Sequence, residues 1–174
     1  MKKIVVLFSF LFALSACMWA QDYPKAEIFG GYQFLHLGNG ADVNANGWNA
    51  ALTGNVNKWL GVTGDFSGAY KTISGVSTSV YSYTGGPTVS LNREGVVNPF
   101  VHALFGGVHL GASAAGAGSA STNGFTMMFG GGVDAKVAPA FAVRVAQVDW
   151  VYYRISGTSE SKNVRLSTGI VLRF

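Results

Sequence analysis

The chain has 174 residues, enough for one domain, and only 11% of them are charged, against about 25% in an ordinary soluble domain. Glycine supplies 24 residues and aromatic side chains 13%, so a soluble protein could hardly cover its surface with the charge available. Removing Lys2 and Lys3 lowers the 12 basic residues to 10 against 8 acids and the net charge from +4 to +2, which makes no basic patch and excludes nucleic acid as an expected partner.

The amino terminus reads as an export signal. Met1-Lys2-Lys3 is positive, and the apolar run from Ile4 to Ala16 is too short to span a bilayer as a helix. Two cleavage sites compete. A cut after Ala20 makes residues 1–20 a signal peptide and 21–174 the mature domain. Alternatively, Leu14-Ser15-Ala16-Cys17 resembles a lipobox, in which Cys17 would be acylated and become the new terminus. The cut after Ala20 is preferred, because a barrel already held in a membrane gains little from a lipid. With either cut no disulfide is expected, since Cys17 has no second cysteine to pair with.

From there, short alternating runs recur between Gly/Asn/Ser clusters, the signature of strands with one apolar and one polar face. The first is Ala26 to Phe34, with Ile28, Gly30, Tyr32 and Phe34 opposite Glu27, Phe29, Gly31 and Gln33. A polar loop is expected from Leu37 to Asn46, then a strand from Trp48 to Val56. A tight turn at Asn57-Lys58-Trp59 leads to the third strand, Leu60 to Tyr70, with Leu60, Val62, Phe66 and Tyr70 against Thr63, Asp65 and Ser67. After a loop at residues 72–78, the fourth sets Tyr81, Tyr83, Pro87 and Val89 against Ser82, Thr84, Thr88 and Ser90. Residues 92–98 turn the chain back into a fifth strand, Phe100 to Leu110, read with His102 and Gly106 inward. Residues 111–123 form a low-complexity Gly/Ala/Ser/Thr stretch expected to be a loop. The sixth strand is Phe125 to Lys136, the turn is Ala138-Pro139-Ala140, the seventh strand is Phe141 to Tyr153, and a last loop covers residues 155–162.

The eighth strand, Val164 to Phe174, alternates most cleanly: Val164, Leu166, Thr168, Ile170, Leu172 and Phe174 on one face, Arg165, Ser167, Gly169, Val171 and Arg173 on the other. Eleven residues suit a tilted strand crossing a bilayer. An alternating strand ending in Phe resembles the C-terminal assembly signal of bacterial outer-membrane β-barrels, which assigns that role to Leu166, Ile170, Leu172 and Phe174. Eight strands, the long connections expected after the first, fifth and seventh, and aromatic residues near strand ends (Trp48, Tyr70, Tyr81, Trp150, Tyr152, Phe174) fit an all-β, eight-stranded antiparallel up-and-down transmembrane barrel. Closure of the first strand on the eighth removes both edges.

On the stretches A-E-I-F-G-G-Y-Q-F (26–34), G-W-N-A-A-L-T-G-N-V (47–56), P-F-V-H-A-L-F-G-G (99–107), F-G-G-G-V-D (129–134) and N-V-R-L-S-T-G-I-V-L-R-F (163–174), the chain resembles the small outer-membrane β-barrel domain family, the opacity-like and outer-membrane-protein-A-like barrels. The resemblance implies a location in the outer membrane of a Gram-negative-type bacterium. It also implies outer-membrane lipids and the barrel assembly machinery as partners, and a monomer.

The inward set contains Glu27, Asp65, His102, Asp134, Lys136, Arg144, Arg165 and Arg173. An eight-stranded barrel is just filled by its side chains, so these charges are expected to pair rather than to catalyse. Asp134 and Arg144 each lie five residues from Pro139, which places them opposite each other in a hairpin. Asp149 has the wrong parity relative to Arg144. A β-bulge between them is therefore expected, turning both inward and bringing Asp149 to Arg165. A lipase-type site is disfavoured, because no serine stands at a spacing that puts it beside His102 on one face. His36 and His109 read as rim residues, and scattered histidines without a cysteine cluster make no metal or other cofactor site. The expected function is a structural or surface-interaction role through extracellular loops. A narrow ion or small-solute pore is the alternative, and a lipid-modifying enzyme is less favoured.

Overall fold

The computed structural model describes residues 23–38, 43–73, 75–114 and 118–174. Both candidate cleavage sites and Cys17 lie outside the described residues. The strands are β1 (Ala26–Leu37), β2 (Val43–Asn55), β3 (Leu60–Ile73), β4 (Val76–Ser90), β5 (Val97–Ala114), β6 (Gly118–Ala138), β7 (Phe141–Ile155) and β8 (Thr158–Arg173). Each pairs antiparallel with its neighbour in sequence, and β1 closes on β8 from Glu27↔Arg173 to Leu37↔Asn163. Beyond that ladder, Phe174 N–H donates to Ala26 O at 2.9 Å and Lys25 N–H to Phe174 O at 2.6 Å. Closure thus satisfies the backbone of the first and last strands, which a lipid-facing sheet requires.

The expected faces of the strands are found. Ile28, Leu52, Val62, Phe66, Val101, Val148, Leu166, Ile170 and Leu172 are exposed, while Gln33, Asn49, Thr53, Asp65, Thr84, His102, Asp134 and Arg165 are buried. The irregularity expected in β7 is also present. Asp134 pairs with Arg144 but Val133 pairs with Ala146, so Val145 is an extra residue. On the other side, Arg144 pairs with Gly169 and Gln147 with Ser167, leaving Val145 and Ala146 opposite Thr168. Both bulge residues are exposed, and the parity after them is reversed, so Gln147 and Asp149 point inward with Arg144.

The outer loops are where the sequence reading needs correction. Of the segments 37–46, 72–78, 111–123 and 155–162, the strands take in 37 and 43–46, 72–73 and 76–78, 111–114 and 118–123, and 155 and 158–162. The hairpins instead continue the ladder, up to 21 residues in β6, where a tilted crossing takes about 9–11. Small Ser, Ala, Thr and Gly side chains match turn composition, yet pairing with a neighbour that also continues decides the outcome. The β7–β8 hairpin closes through Ser156 (φ 50°) and Gly157 (φ 86°), both in the left-handed region that a two-residue type I′ turn requires. At the opposite end, the β4–β5 connection is the long one, residues 91–96.

Candidate functional site

The barrel offers three surfaces: a lumen, a lipid-facing belt and a hairpin rim. The lumen is filled. Toward the hairpin end it is apolar, with Leu35, Ala45, Ala69, Val80, Leu104, Val108, Met128, Val151 and Tyr153 packed together. Leu104, Val108 and Val151 have no exposed surface at all, so this layer closes the barrel. None of the buried charged side chains belongs to this apolar cluster. They are concentrated toward the end that carries the chain termini, leaving the other end free to be dry.

The charged half is a single connected network that draws on every strand. Asn49 Nδ2 donates to Asp65 Oδ2 at 2.9 Å, and Arg165 Nη1 donates to Asp65 Oδ1 at 2.7 Å. Arg165 Nε also donates to Asp149 Oδ2 at 2.8 Å. Asp149 is further held by Gln147 Nε2 and by His102 Nε2, each at 2.7 Å. Gln147 Oε1 accepts from Arg144 Nη1 at 2.7 Å, and Arg144 Nε donates to Asp134 Oδ1 at 2.8 Å. The Arg144 guanidinium lies between the rings of Phe29 and Phe100, 4.3 Å from each centroid, a doubled cation–π contact. Asp134 continues to Arg173 (3.8 Å), Arg173 to Glu27 (3.4 Å) and Glu27 to Arg93 (3.9 Å). Arg93 ends the chain of contacts by donating to Asn57 O at 2.6 Å and Ser90 Oγ at 2.9 Å.

All four inward residues singled out for pairing, Asp134, Arg144, Asp149 and Arg165, therefore sit in this network. Lys136 is half-buried at its edge, where its backbone N–H donates to Val96 O. Two features of the network have no signal in the sequence, the place of Arg93 and the partner of His102. Arg93 lies in the expected turn of residues 92–98, but it folds back and is only 2% exposed, stoppering the terminal end of the lumen. His102 belongs to the inward set expected to pair, but its partner Asp149 lies 47 residues away on a non-adjacent strand, and no local spacing announces that pairing.

An imidazole held by a carboxylate is two thirds of a nucleophile-activating triad. The third part is missing in geometry. Thr88, the residue opposite His102, has its hydroxyl bonded to Thr63 Oγ1 at 2.6 Å. The cavity bounded by Glu27, Thr88, His102, Asp134 and Arg144 measures about 10 Å3, the size of about one water. No substrate fits there. Among the described residues, no three His, Cys, Asp or Glu side chains group to hold a metal.

Glycine makes the network possible at one position in particular. Gly130 faces inward beside Asp149, and a Cβ there would run into Asp149 Oδ1 and Val148 O. Gly130→Val is expected to displace the carboxylate and lower stability by about 1–3 kcal/mol, read as the urea midpoint in detergent micelles. An unchanged midpoint would mean that Asp149 is not held where the network places it.

The belt carries no charge. Among the described residues, no Asp, Glu, Lys or Arg faces outward between Leu60, Leu172 and Phe174 at one edge and the aromatic band at the other. That band is continuous in places: Phe105 packs edge-on to Phe129 at 5.6 Å, Phe129 stacks on Trp150 at 6.0 Å, and Tyr70 meets Tyr81 at 5.7 Å. Its polar tips reach toward the hairpins. Tyr32 Oη donates to Asn46 Oδ1 and Tyr152 Oη to Ser159 Oγ, both at 2.7 Å. An apolar ring body with a wet tip is what a membrane interface selects. Of the last strand, Leu166, Ile170, Leu172 and Phe174 are all exposed on this outer face. Beyond the band, His36 and His109 hydrogen-bond Asn44 and Asn123, each at 2.7 Å.

A closed antiparallel barrel with an uncharged outer belt, an aromatic interface and a filled interior is a transmembrane β-barrel of the smallest class. The solved structures it resembles are of that class. Ail, the attachment invasion locus protein of Yersinia pestis, superposes with a TM-score of 0.64 at 20% identity, over 87% of this chain and 99% of Ail. Neisserial surface protein A gives 0.70 at 13% identity, over 86% and 97%. The outer-membrane protein OprG of Pseudomonas aeruginosa gives 0.57 at 10% identity, over 87% and 96%. This chain thus has the fold of the small eight-stranded outer-membrane barrels. No family model matches its sequence, and no curated protein matches it either.

Proposed function

We propose that this protein is an integral outer-membrane barrel whose working surface is the rim of extended hairpins held outside the bilayer. One observation carries the reading: the lumen is closed at both ends of its core while four hairpins project past the aromatic band. A filled barrel has no transport path to offer, so the exposed rim is the part left to act. The pore reading loses support on the same ground, and so does a lumenal enzyme. Residues 1–20 would direct export. The assembly machinery would recognise the last strand, and outer-membrane lipids would surround the monomeric belt. Ail is an attachment and invasion protein by name, and an attachment role for this chain would use the hairpin rim.

The test compares attachment to epithelial monolayers by cells displaying the natural chain and cells displaying a variant with residues 112–120 replaced by Asn-Gly. Attachment at least ten-fold lower, with the variant still heat-modifiable and in the outer membrane, supports the reading. Equal attachment would contradict it. The assembly role of the last strand has its own test. Phe174→Ala is expected to leave export intact and to lower the folded fraction in the outer membrane several-fold, and a normal folded fraction would remove Phe174 from that role.

A further inference from the structure

Just beyond the aromatic band, the sheet formed by β3, β4, β5 and β6 carries a groove of about 450 Å3, within the usual 300–1,000 Å3 of small-molecule sites. Strand register sets its chemistry. Tyr70, Ser79, Gly111 and Ser121 pair into one row across the four strands. Thr72, Ser77, Ser113 and Ser119 make the next row of the same parity. Both rows share the parity of outward-facing Tyr81 and Phe105, so their side chains point away from the barrel axis. Lys71 also lines the groove, from the intervening row, whose side chains have the opposite parity.

The two rows present six hydroxyls and a phenol, with no acid and no cation. Thr72 and Ser77 share one hydrogen bond at 3.2 Å, while Ser113, Ser119 and Ser121 are exposed to solvent. Gly111 gives the groove depth, since a Cβ there would stand 2.9 Å from Ser79 Oγ. Tyr70 forms one end and is fixed in place, its hydroxyl accepting from Trp48 Nε1 at 3.1 Å and its ring edge-on to Tyr81.

We infer that this groove binds neutral sugars. A hydroxyl both donates and accepts, so a field of hydroxyls complements a polyol in any of several orientations. A fixed aromatic ring at one end offers an apolar face for the C–H side of a sugar ring. An anionic ligand would find one cation, Lys71, whose parity is opposite to both hydroxyl rows, whereas the outward Arg154 and Lys162 stand on β7 and β8, on another part of the rim. The groove opens sideways at headgroup level. That position suits the sugars of a glycolipid in the same leaflet, and a soluble or cell-surface glycan is the other source of the same chemistry. The inference rests on the rim being outside the bilayer, as proposed above.

The test uses the full barrel folded in phospholipid nanodiscs. Maltotetraose and chitotetraose are titrated as free probes, and in a second arm the nanodiscs contain lipopolysaccharide with core sugars or lipid A alone. Binding is read by amide shifts at residues 70–79 and 111–121. Saturable binding that weakens at least ten-fold in Ser113→Trp and in Ser121→Val, and is unchanged in Arg154→Gln, supports the inference. Response to free tetrasaccharides identifies a soluble glycan; response only to core-containing lipopolysaccharide identifies the glycolipid. Absence of saturable binding in both arms, or binding indifferent to both groove variants, overturns it. Hairpin-dependent cell attachment together with no saturable binding in either arm would sink the sugar site and leave the surface role standing.

Discussion

Arg165→Met should destabilise this barrel by about 3–5 kcal/mol, the usual cost of removing one partner from a buried ion cluster. Arg165 is 1% exposed and bonds two carboxylates, Asp65 and Asp149, which lie on different strands. Without it, two buried anions face each other with only Asn49, Gln147 and His102 to hold them. Chemical unfolding in micelles measures the loss directly. The triple variant Asp65→Asn, Asp149→Asn, Arg165→Met removes the stranded charges as well, and most of the stability is expected to return. A single variant as stable as the natural chain, or a triple variant no better than the single, would mean that the cluster does not hold the lumen together.

Deletion of Val145 should be more damaging still. The bulge it forms sets the parity of β7 from Gln147 onward, so a regular strand would turn Gln147 and Asp149 to lipid and Val148 and Trp150 inward. An acid in the belt, the loss of two lumenal hydrogen-bonding groups and a tryptophan forced into a filled interior act together. The deletion is expected to leave no heat-modifiable barrel, whereas Val145→Ala keeps the extra residue and should shift the unfolding midpoint only slightly. Equal folding of the deletion and the alanine variant would contradict the assigned register.

What could be read beforehand follows from period and symmetry. The eight strands and their faces were legible because inside and outside alternate with period two. Asp134 and Arg144 could be paired because they are symmetric about Pro139. The bulge could be placed because Arg144 and Asp149, five residues apart, cannot otherwise both avoid lipid. Arg93 was not legible, since a turn has no period to say which of its side chains folds back. The His102–Asp149 contact joins β5 to β7 across the lumen, and only the barrel's small diameter brings them together. The length of the hairpins was misread for a related reason: residues 111–123 have the composition of a loop, but each of β5 and β6 supplies the other's missing hydrogen bonds.

The claim on which the rest depends is that the lumen is closed, so that function lies on the rim. Single-channel recording in a planar bilayer tests it most directly, using protein shown to be folded by heat-modifiable mobility. A silent membrane is expected for the natural chain, because Leu104, Val108, Met128 and Val151 seal the lumen above the charge network. Reproducible ohmic steps that change in size in Met128→Ala or Asp149→Asn would place a conducting path through this interior and contradict it.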